Sequence, residues 1–505
     1  MGTQLQINGN AFRFAGANMH WLPMGDSTLY TSQFQINDAL NAAHEMGLTV
    51  VRSHDLGIST GCPNCIEPTL GTFNATALQH DDYVIAAAQA HGIRLIIPLV
   101  DNYHYPAGGK HNFTDWRGIS DENQFYTNPQ VISDFEQYIS VILNRVNTYT
   151  GIAYKNDPTI MAWETGNELH PPSAWTDKIS TFIKGLDKNH LVIDGSSNID
   201  PSAANMSNVD IVSDHYYPKN ITRLTSDAAL ATNMGKAFIV GEYDWNDANG
   251  GDTLNSFLAA IKTNPIISGD AFWELWPHDD QYGYVSAEVQ YMLHYPGDSQ
   301  AMITATQQIR THAYQMNNLA VPPASLPTAP VINASIKDDA NNLLTWQGSA
   351  IAAKYTIERS TTSAKGPWTV ICNQCVTDNM SPWTDTTPPN GIYWYRMTPY
   401  NLAGQAGSPS ASFQGVSVAN PTKWLKDDLN NWDLSYAHSS NLYFDTTNIS
   451  YMNNDPSRAS RSTPDHLWII WNQPNIGAIQ VTSYFWPYED VSHFSFYLSA
   501  DGTNW

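Results

Sequence analysis

The chain has 505 residues, 42% of them hydrophobic and 12% aromatic, including 17 Trp, 26 Tyr and 16 Phe. That is ample apolar material to offset chain ordering, and it excludes disordered and fibrous classes. A formal charge of −23, from 24 Lys and Arg against 47 Asp and Glu, repels phosphate backbones and anionic lipid, so nucleic acid and membrane insertion are set aside as partners and a neutral substrate fits. The same acidity suits solubility in an acidic or extracellular medium. No apolar run approaches the roughly 20 residues that would span a bilayer. The start, Met1-Gly2-Thr3-Gln4, shows no basic region followed by an apolar stretch, so no secretion leader is legible there.

Up to about residue 318 short apolar runs alternate with helical stretches. The predicted strands are Phe12–Gly16, Thr49–Arg52, Arg94–Val100, Ile160–Trp163, Leu191–Asp194, Ile211–Asp214, Phe238–Gly241 and Ala271–Trp273. They are too continuously apolar to be half exposed, as expected for parallel strands buried on both faces. The predicted helices are Gln35–Met46, Ala77–His91, Pro129–Thr148, Ala174–Leu186, Leu224–Met234, Thr253–Thr263 and Gln300–Met316, with Gly47 and Gly92 as stop signals after the first two. Eight strands alternating with helices over residues 1–318 predict an α/β fold, a (β/α)8 barrel.

Residues 319–330, with Pro322, Pro323, Pro327 and Pro330, read as a semi-rigid linker. From 331 to 418 the pattern turns to alternation, as in Tyr355-Thr356-Ile357-Glu358 and Tyr393-Trp394-Tyr395-Arg396, which predicts a small β-sandwich. With Trp346 early and Tyr393–Arg396 late, this stretch resembles a fibronectin type III domain. Residues 421–505 are rich in Trp, Tyr, Asn and Ser. Their ending, Phe496-Tyr497-Leu498-Ser499-Ala500-Asp501-Gly502-Thr503-Asn504-Trp505, looks like the middle of a discoidin-like jelly roll. A shortened or unusual β domain is expected there, its aromatics serving either as core or as platforms for sugar rings. Cys62-x-x-Cys65 and Cys372-x-x-Cys375 lie among turn-formers in different predicted domains. Local disulfides, free thiols and a metal site remain open readings.

Hydrolysis of a glycosidic bond needs two carboxyl groups across the bond, one to protonate the leaving oxygen and one to attack the anomeric carbon or activate water. In a barrel they project from the C-terminal ends of strands. Glu168, after the fourth predicted strand, and Glu242, after the seventh, fit; Glu164 is the rival to Glu168 or a supporting carboxylate.

The segments Asp82–Tyr103 and Asn147–Glu164 are similar to the endo-β-1,4-mannanases of glycoside hydrolase family five, and the likeness extends over residues 5–315. The resemblance implies hydrolysis of β-1,4-mannosidic bonds in mannan, glucomannan or galactomannan with retention and without metal; the chain is further read as a secreted monomer that needs no cofactor. It assigns Glu168 as acid/base and Glu242 as nucleophile. It also implies that Arg52 supports the nucleophile, Asn167 binds the sugar 2-hydroxyl, His215 and Tyr217 orient the carboxylates, and Trp273 floors the subsite at the cleaved bond. Glu168 is expected in a protonated, less polar setting and Glu242 to be kept ionised by Arg52. The chain departs from the family where Leu169-His170 follows the acid/base and Tyr243-Asp244-Trp245 follows the nucleophile. It departs again in a mouth rich in His20, His54, His104, His111 and His278. These departures, with the long segment Pro277–Asp298, leave exo-action or another β-linked glycan as the alternative.

Overall fold

The computed structural model describes residues 3–502 except 248, 286–290, 334–342, 382, 386–390, 418–425, 454, 464–465, 473–478, 480, 485–494 and 500–501. Eight parallel strands close into a barrel: Phe14–Asn18, Val50–Arg52, Arg94–Pro98, Ile160–Glu164, Leu191–Asp194, Ile211–Tyr216, Ala237–Tyr243 and Ile267–Phe272. All eight predicted strands are present; the first lies two residues later, the last starts four residues earlier and ends one earlier, and several run further toward the mouth. The seven predicted helices form as Gln33–Glu45, Ala75–Ala90, Pro129–Asn144, Ser173–Leu186, Ile221–Met234, Leu254–Thr263 and Gln300–Met316.

Side chains alternate between two cores with the period of a strand. Val50, Ile96, Ala162, Ile193, Ile211 and Ile239 join Phe14 inside the barrel, with Leu5 of the N-terminal hairpin added to them. Their neighbours Val51, Leu95, Ile97, Trp163, Val192, Val212, Phe238 and Val240 face the helices. This alternation decides which residues reach the mouth. Two positions beyond Val50 is Arg52, and two beyond Ala162 is Glu164, so both continue the inward row.

Glu242 arrives by a different route. The sixth and seventh strands pair Asp214 with Val240 but His215 with Glu242, so Gly241 is an extra residue in the ladder. This bulge reverses the alternation and turns Glu242 inward. Only glycine fits there, since a Cβ at 241 would lie 2.5 Å from Ser213 Oγ and 2.7 Å from His215 Nε2.

Beyond the barrel, Lys354–Ser360, Thr369–Val376, Gly391–Tyr400 and Phe413–Ser417 form a four-stranded antiparallel sheet, accompanied by the pairs Val331–Ile332 with Trp346–Gln347 and Leu343–Leu344 with Trp383–Thr384. Along Gly391–Tyr400 every second residue from Tyr393 to Pro399 is buried, and Trp346, Tyr355, Ile357, Tyr395 and Met397 make the core. Cys62 is bonded to Cys65 and Cys372 to Cys375, which decides for local disulfides. Residues 426–502 show two short ladders, Ala437–His438 with Ile469–Ile470 and Leu442–Asp445 with Arg458–Arg461. Among the described residues of this stretch no further ladder forms, and residues 496–499 are not in a strand; Ala500, Asp501 and Thr503–Trp505 of the expected jelly roll lie outside the described residues. Among the described residues no helix is long and apolar enough to cross a membrane.

Candidate active site

Arg52 organises the mouth. It is 1% exposed and all three guanidinium nitrogens donate. Nε and Nη2 hold Glu164 Oε2 and Oε1 at 2.7 and 3.1 Å, and Nη1 reaches Glu242 Oε1 at 2.7 Å. Nη1 also donates to Asn18 Oδ1 and His54 Nε2, and Nη2 to Asn167 Oδ1 at 2.8 Å. A planar fork is the cation that can serve so many acceptors at once. Glu164 is therefore the carboxylate that pins the guanidinium, leaving Arg52 one arm for Glu242. Accepting at Nε2 makes His54 neutral, and its pKa is lowered well below the ordinary histidine range by burial and by the nearby Arg52 charge.

Glu168 sits in the loop after the fourth strand, which is tied on both sides: Asn167 N donates to Val100 O and Leu169 N to Gly195 O. Gly166 and Gly195 touch across this crossing, where a Cβ at 195 would lie 1.8 Å from Gly166 O. Glu168 itself takes a left-handed φ of 49°, a strained conformation for a non-glycine residue that persists only when its surroundings enforce it. Its carboxylate is bracketed, with His215 Nδ1 2.6 Å from Oε1 and the Tyr103 hydroxyl donating to Oε2 at 2.7 Å. Tyr217 donates to Glu242 Oε2 at 3.1 Å. Glu168, His215 and Glu242 each present one atom within 4.8 Å of the others.

The proton balance departs from expectation. Burial would raise Glu168, but the hydrogen bond and charge of His215, with the Tyr103 hydroxyl, outweigh it and hold the carboxyl down at about 2. Burial pushes Glu242 up, with His215 and Arg52 opposing. His215 is raised: burial disfavours its charge, and the charge of Glu242 and the bond to Glu168 prevail. These shifts favour the proton on His215 over Glu168, whose carboxylate is surrounded by donors rather than by the less polar setting expected.

Trp273 lies half-buried at the end of the eighth strand, its ring centroid 5.3 Å from His54 and 5.4 Å from His20. Asn167, 4% exposed, is held by Arg52 and by its own donation to Asp101 Oδ2 at 3.0 Å; its second amide hydrogen is the one a sugar hydroxyl would use. The structure thus gathers all seven sequence-predicted residues at one mouth. Sequence reasoning left Tyr103, His54, Asn18 and Asp101 without roles. The signal at hand was their position, each at or just past the end of a strand predicted to point into the same opening.

Two carboxylates brought together from the fourth and seventh strands at the C-terminal end of a closed barrel, with a buried arginine on one of them, form the arrangement that glycosidic-bond hydrolysis uses. Comparison with known proteins narrows the class. Residues 2–242, a span ending on Glu242, match the family model described as GH family 5 beta-mannosidase-like. Mannan endo-1,4-beta-mannosidase 3 of Arabidopsis thaliana is 31% identical over 239 residues, 42% of this chain and 57% of that protein. Mannan endo-1,4-beta-mannosidase 4 of Oryza sativa subsp. japonica is 28% identical over 340 residues, covering 54% and 72%. The chain spans little more than half the length of the Arabidopsis relative. Among solved structures, the endo-beta-1,4-mannanase from Thermotoga petrophila shares the fold at a TM-score of 0.55 and 21% identity, covering 82% of this chain and 99% of that one. The endo-1,4-beta-mannanase from Rhizomucor miehei does so at 0.54 and 24%, covering 63% and 98%.

Proposed function

We propose that the chain is a family 5 glycoside hydrolase that cleaves β-1,4-mannosidic bonds in mannan-type polysaccharides by double displacement with retention. One observation carries the mechanistic part: an oxygen of Glu168 and one of Glu242 lie within 4.8 Å. Retaining pairs stand about 5–5.5 Å apart, whereas inverting pairs leave about 6.5–9.5 Å for a water. The matched family model and the mannanase relatives support the substrate class.

Glu242 attacks the anomeric carbon while its other partners, Arg52 and Tyr217, keep the attacking carboxylate oriented. The leaving oxygen takes a proton held by the His215–Glu168 pair, delivered by Glu168, and a glycosyl ester forms on Glu242. Glu168, again a carboxylate, then removes a proton from water as that water attacks the ester and frees Glu242. Trp273 offers its face to the apolar side of the sugar, and Asn167 an amide hydrogen to the 2-hydroxyl.

A second reading, exo-action, rests on Tyr291. It stacks on Tyr217 with centroids 5.8 Å apart, and its carbonyl accepts from Trp245 Nε1 at 2.8 Å, so the returning arm of the long loop after the eighth strand walls one side of the site. The two local disulfides and the acidic surface support secretion, and the protein is read as a monomer. Exposed Tyr436, Tyr443, Tyr451 and Trp468 make the C-terminal region a sugar-stacking module in this reading. Product analysis on linear mannan, glucomannan, galactomannan, cellulose and xylan, with wild type beside Glu168→Ala and Glu242→Ala, tests it. Mixed short manno-oligosaccharides from wild type alone are expected. Mannose alone would establish exo-action, and products from cellulose or xylan but not mannan would overturn the substrate class.

A further inference from the structure

His20 follows the first barrel strand and is absent from every role assigned above. Its ring lies almost parallel to that of Trp273, with planes 8° apart and centroids 5.4 Å apart. Both ring nitrogens face carboxylates: Nδ1 is 2.6 Å from Glu274 Oε2 and Nε2 is 2.9 Å from Asp26 Oδ1. A neutral imidazole has one N–H and one lone pair and cannot donate to two carboxylates. With both carboxyls ionised, an acceptor at each nitrogen requires the imidazolium.

The remaining surroundings agree. Burial opposes the charge, but Glu274 and Asp26 outweigh it and raise His20 well above the ordinary histidine range; Asp26 is lowered in turn, and Glu274, which burial pushes up, is held back by the charge and hydrogen bond of His20. The other titratable neighbours are His54, edge-on at 6.4 Å and neutral, and Asp55, whose backbone N–H donates to His20 O and whose carboxyl burial pushes well above its usual value. Trp276 closes the remaining side, edge-on at 5.8 Å. Glu274 is fully buried and directly follows Trp273, so one dipeptide supplies both the aromatic ring and the anion that presses a cation against it.

We propose that His20 is a positioning residue, an imidazolium clamped between Glu274 and Asp26 that fixes the plane of Trp273 and so the surface on which the sugar at the cleaved bond packs. The proposal rests on the glycosidase reading for its kinetic consequence but not for its geometry. Loss of the proton leaves one N–H facing two carboxylates, one of them wholly buried, and an unpaired buried charge forces rearrangement. Activity therefore acquires an alkaline limit set by His20.

The test pairs an NMR titration with kinetics. The His20 imidazole nitrogens and the Trp273 indole N–H are followed against pH in wild type and Asp26→Asn, with His20→Gln and Trp273→Phe supplying the assignments, and kcat/KM is measured over the same range. His20 is expected to keep its proton above the ordinary histidine range in wild type and to lose it at a lower pH in Asp26→Asn. The Trp273 resonance should move in step. The alkaline limb of kcat/KM should shift down by the same amount, with the optimum value kept within about threefold, a pattern that mere destabilisation would not produce. A neutral His20 at pH 7 in wild type, a Trp273 resonance indifferent to the His20 titration, or an unmoved alkaline limb would overturn the proposal. If wild type turns over no glycan, the glycosidase reading falls, and the NMR arm still decides the clamp.

Discussion

The barrel mouth and the neighbouring sandwich both bury charge, and they finish it differently. At the mouth Arg52 is divided among Glu164, Glu242, Asn18, Asn167 and His54, while Glu168 stays partly exposed in a strained backbone conformation. In the sandwich Asp378, 2% exposed, is closed off by the Trp346 indole N–H at 2.9 Å and the Tyr355 hydroxyl at 3.0 Å. Asp385 is closed likewise by Arg359 and Tyr395. Completed clusters specify a core, whereas a cluster left open toward solvent and held under strain is built to meet something else. His278 joins the two regions. It follows the eighth strand five residues after Trp273, 1% exposed, with Nδ1 2.9 Å from Asp38 Oδ2 of the first helix and Nε2 3.3 Å from Asp378 Oδ2 of the sandwich. Gln347 and Asn379 of the sandwich add donations to Asp280 O and Asp298 O. This β region therefore braces the loop that begins at Trp273.

The comparison separates substitutions that stop chemistry from those that loosen the molecule. Glu242→Gln should have the largest effect, lowering turnover by at least about a thousandfold with unchanged thermal unfolding, because the covalent step disappears; steady-state kinetics beside calorimetry checks it. Arg52→Lys keeps the charge but loses the fork, and should lower kcat/KM about a hundredfold while leaving the fold in place. Asp378→Asn reverses the pattern. It leaves the chemistry intact and costs roughly 1–3 kcal/mol of stability, because one amide oxygen cannot accept from Trp346, Tyr355 and His278 as the carboxylate does, read as a lower unfolding midpoint in denaturant.

The same histidine gives a pH signature. Burial would lower His278, but Asp38 and Asp378 raise it to about 10. A folded pKa above the unfolded value near 6.5 means that the stabilisation is fully present below about pH 6.5 and is lost as pH rises through about 10. Wild type should lose stability across that window, and His278→Gln should flatten the curve. The smallest effect lies far from both regions. Asn128 caps the helix Pro129–Asn144 by accepting from Gln130 N at 2.9 Å, so Asn128→Ala should cost about 1 kcal/mol and leave kcat/KM and its pH dependence untouched.

What was legible in the sequence follows from range. Strands buried on both faces announce themselves as apolar runs, and helices by spacing and caps, so the barrel could be read locally. Glu242 directly follows such a run and Glu168 lies in the loop after another, while the roles of Glu168, Glu242 and Arg52 were implied by the family resemblance. Three features were not legible because they depend on pairing between distant segments. The bulge at Gly241 exists only in register with His215, and without it Glu242 would point toward the helices. Glu164 could be named a supporting carboxylate but not matched to Arg52, whose nearest approach crosses the barrel. The two histidine clamps, Asp26–His20–Glu274 and Asp38–His278–Asp378, each join residues far apart in the chain, and His20 and His278 registered only as unusual residues at the mouth. The setting of Glu168 differs from expectation for a related reason: the Tyr103 hydroxyl, from the loop after the third strand, joins His215 at its carboxylate, and nothing local to Tyr103 announces that contact.

The most direct measurement is the anomeric configuration of the first-formed product, followed by proton NMR as the enzyme cleaves a β-1,4-manno-oligosaccharide. With Glu168 and Glu242 as close as they stand, the β-anomer should appear first and mutarotate to the equilibrium mixture. Initial release of the α-anomer would mean inversion through a water between the carboxylates and would contradict Glu242 as the nucleophile.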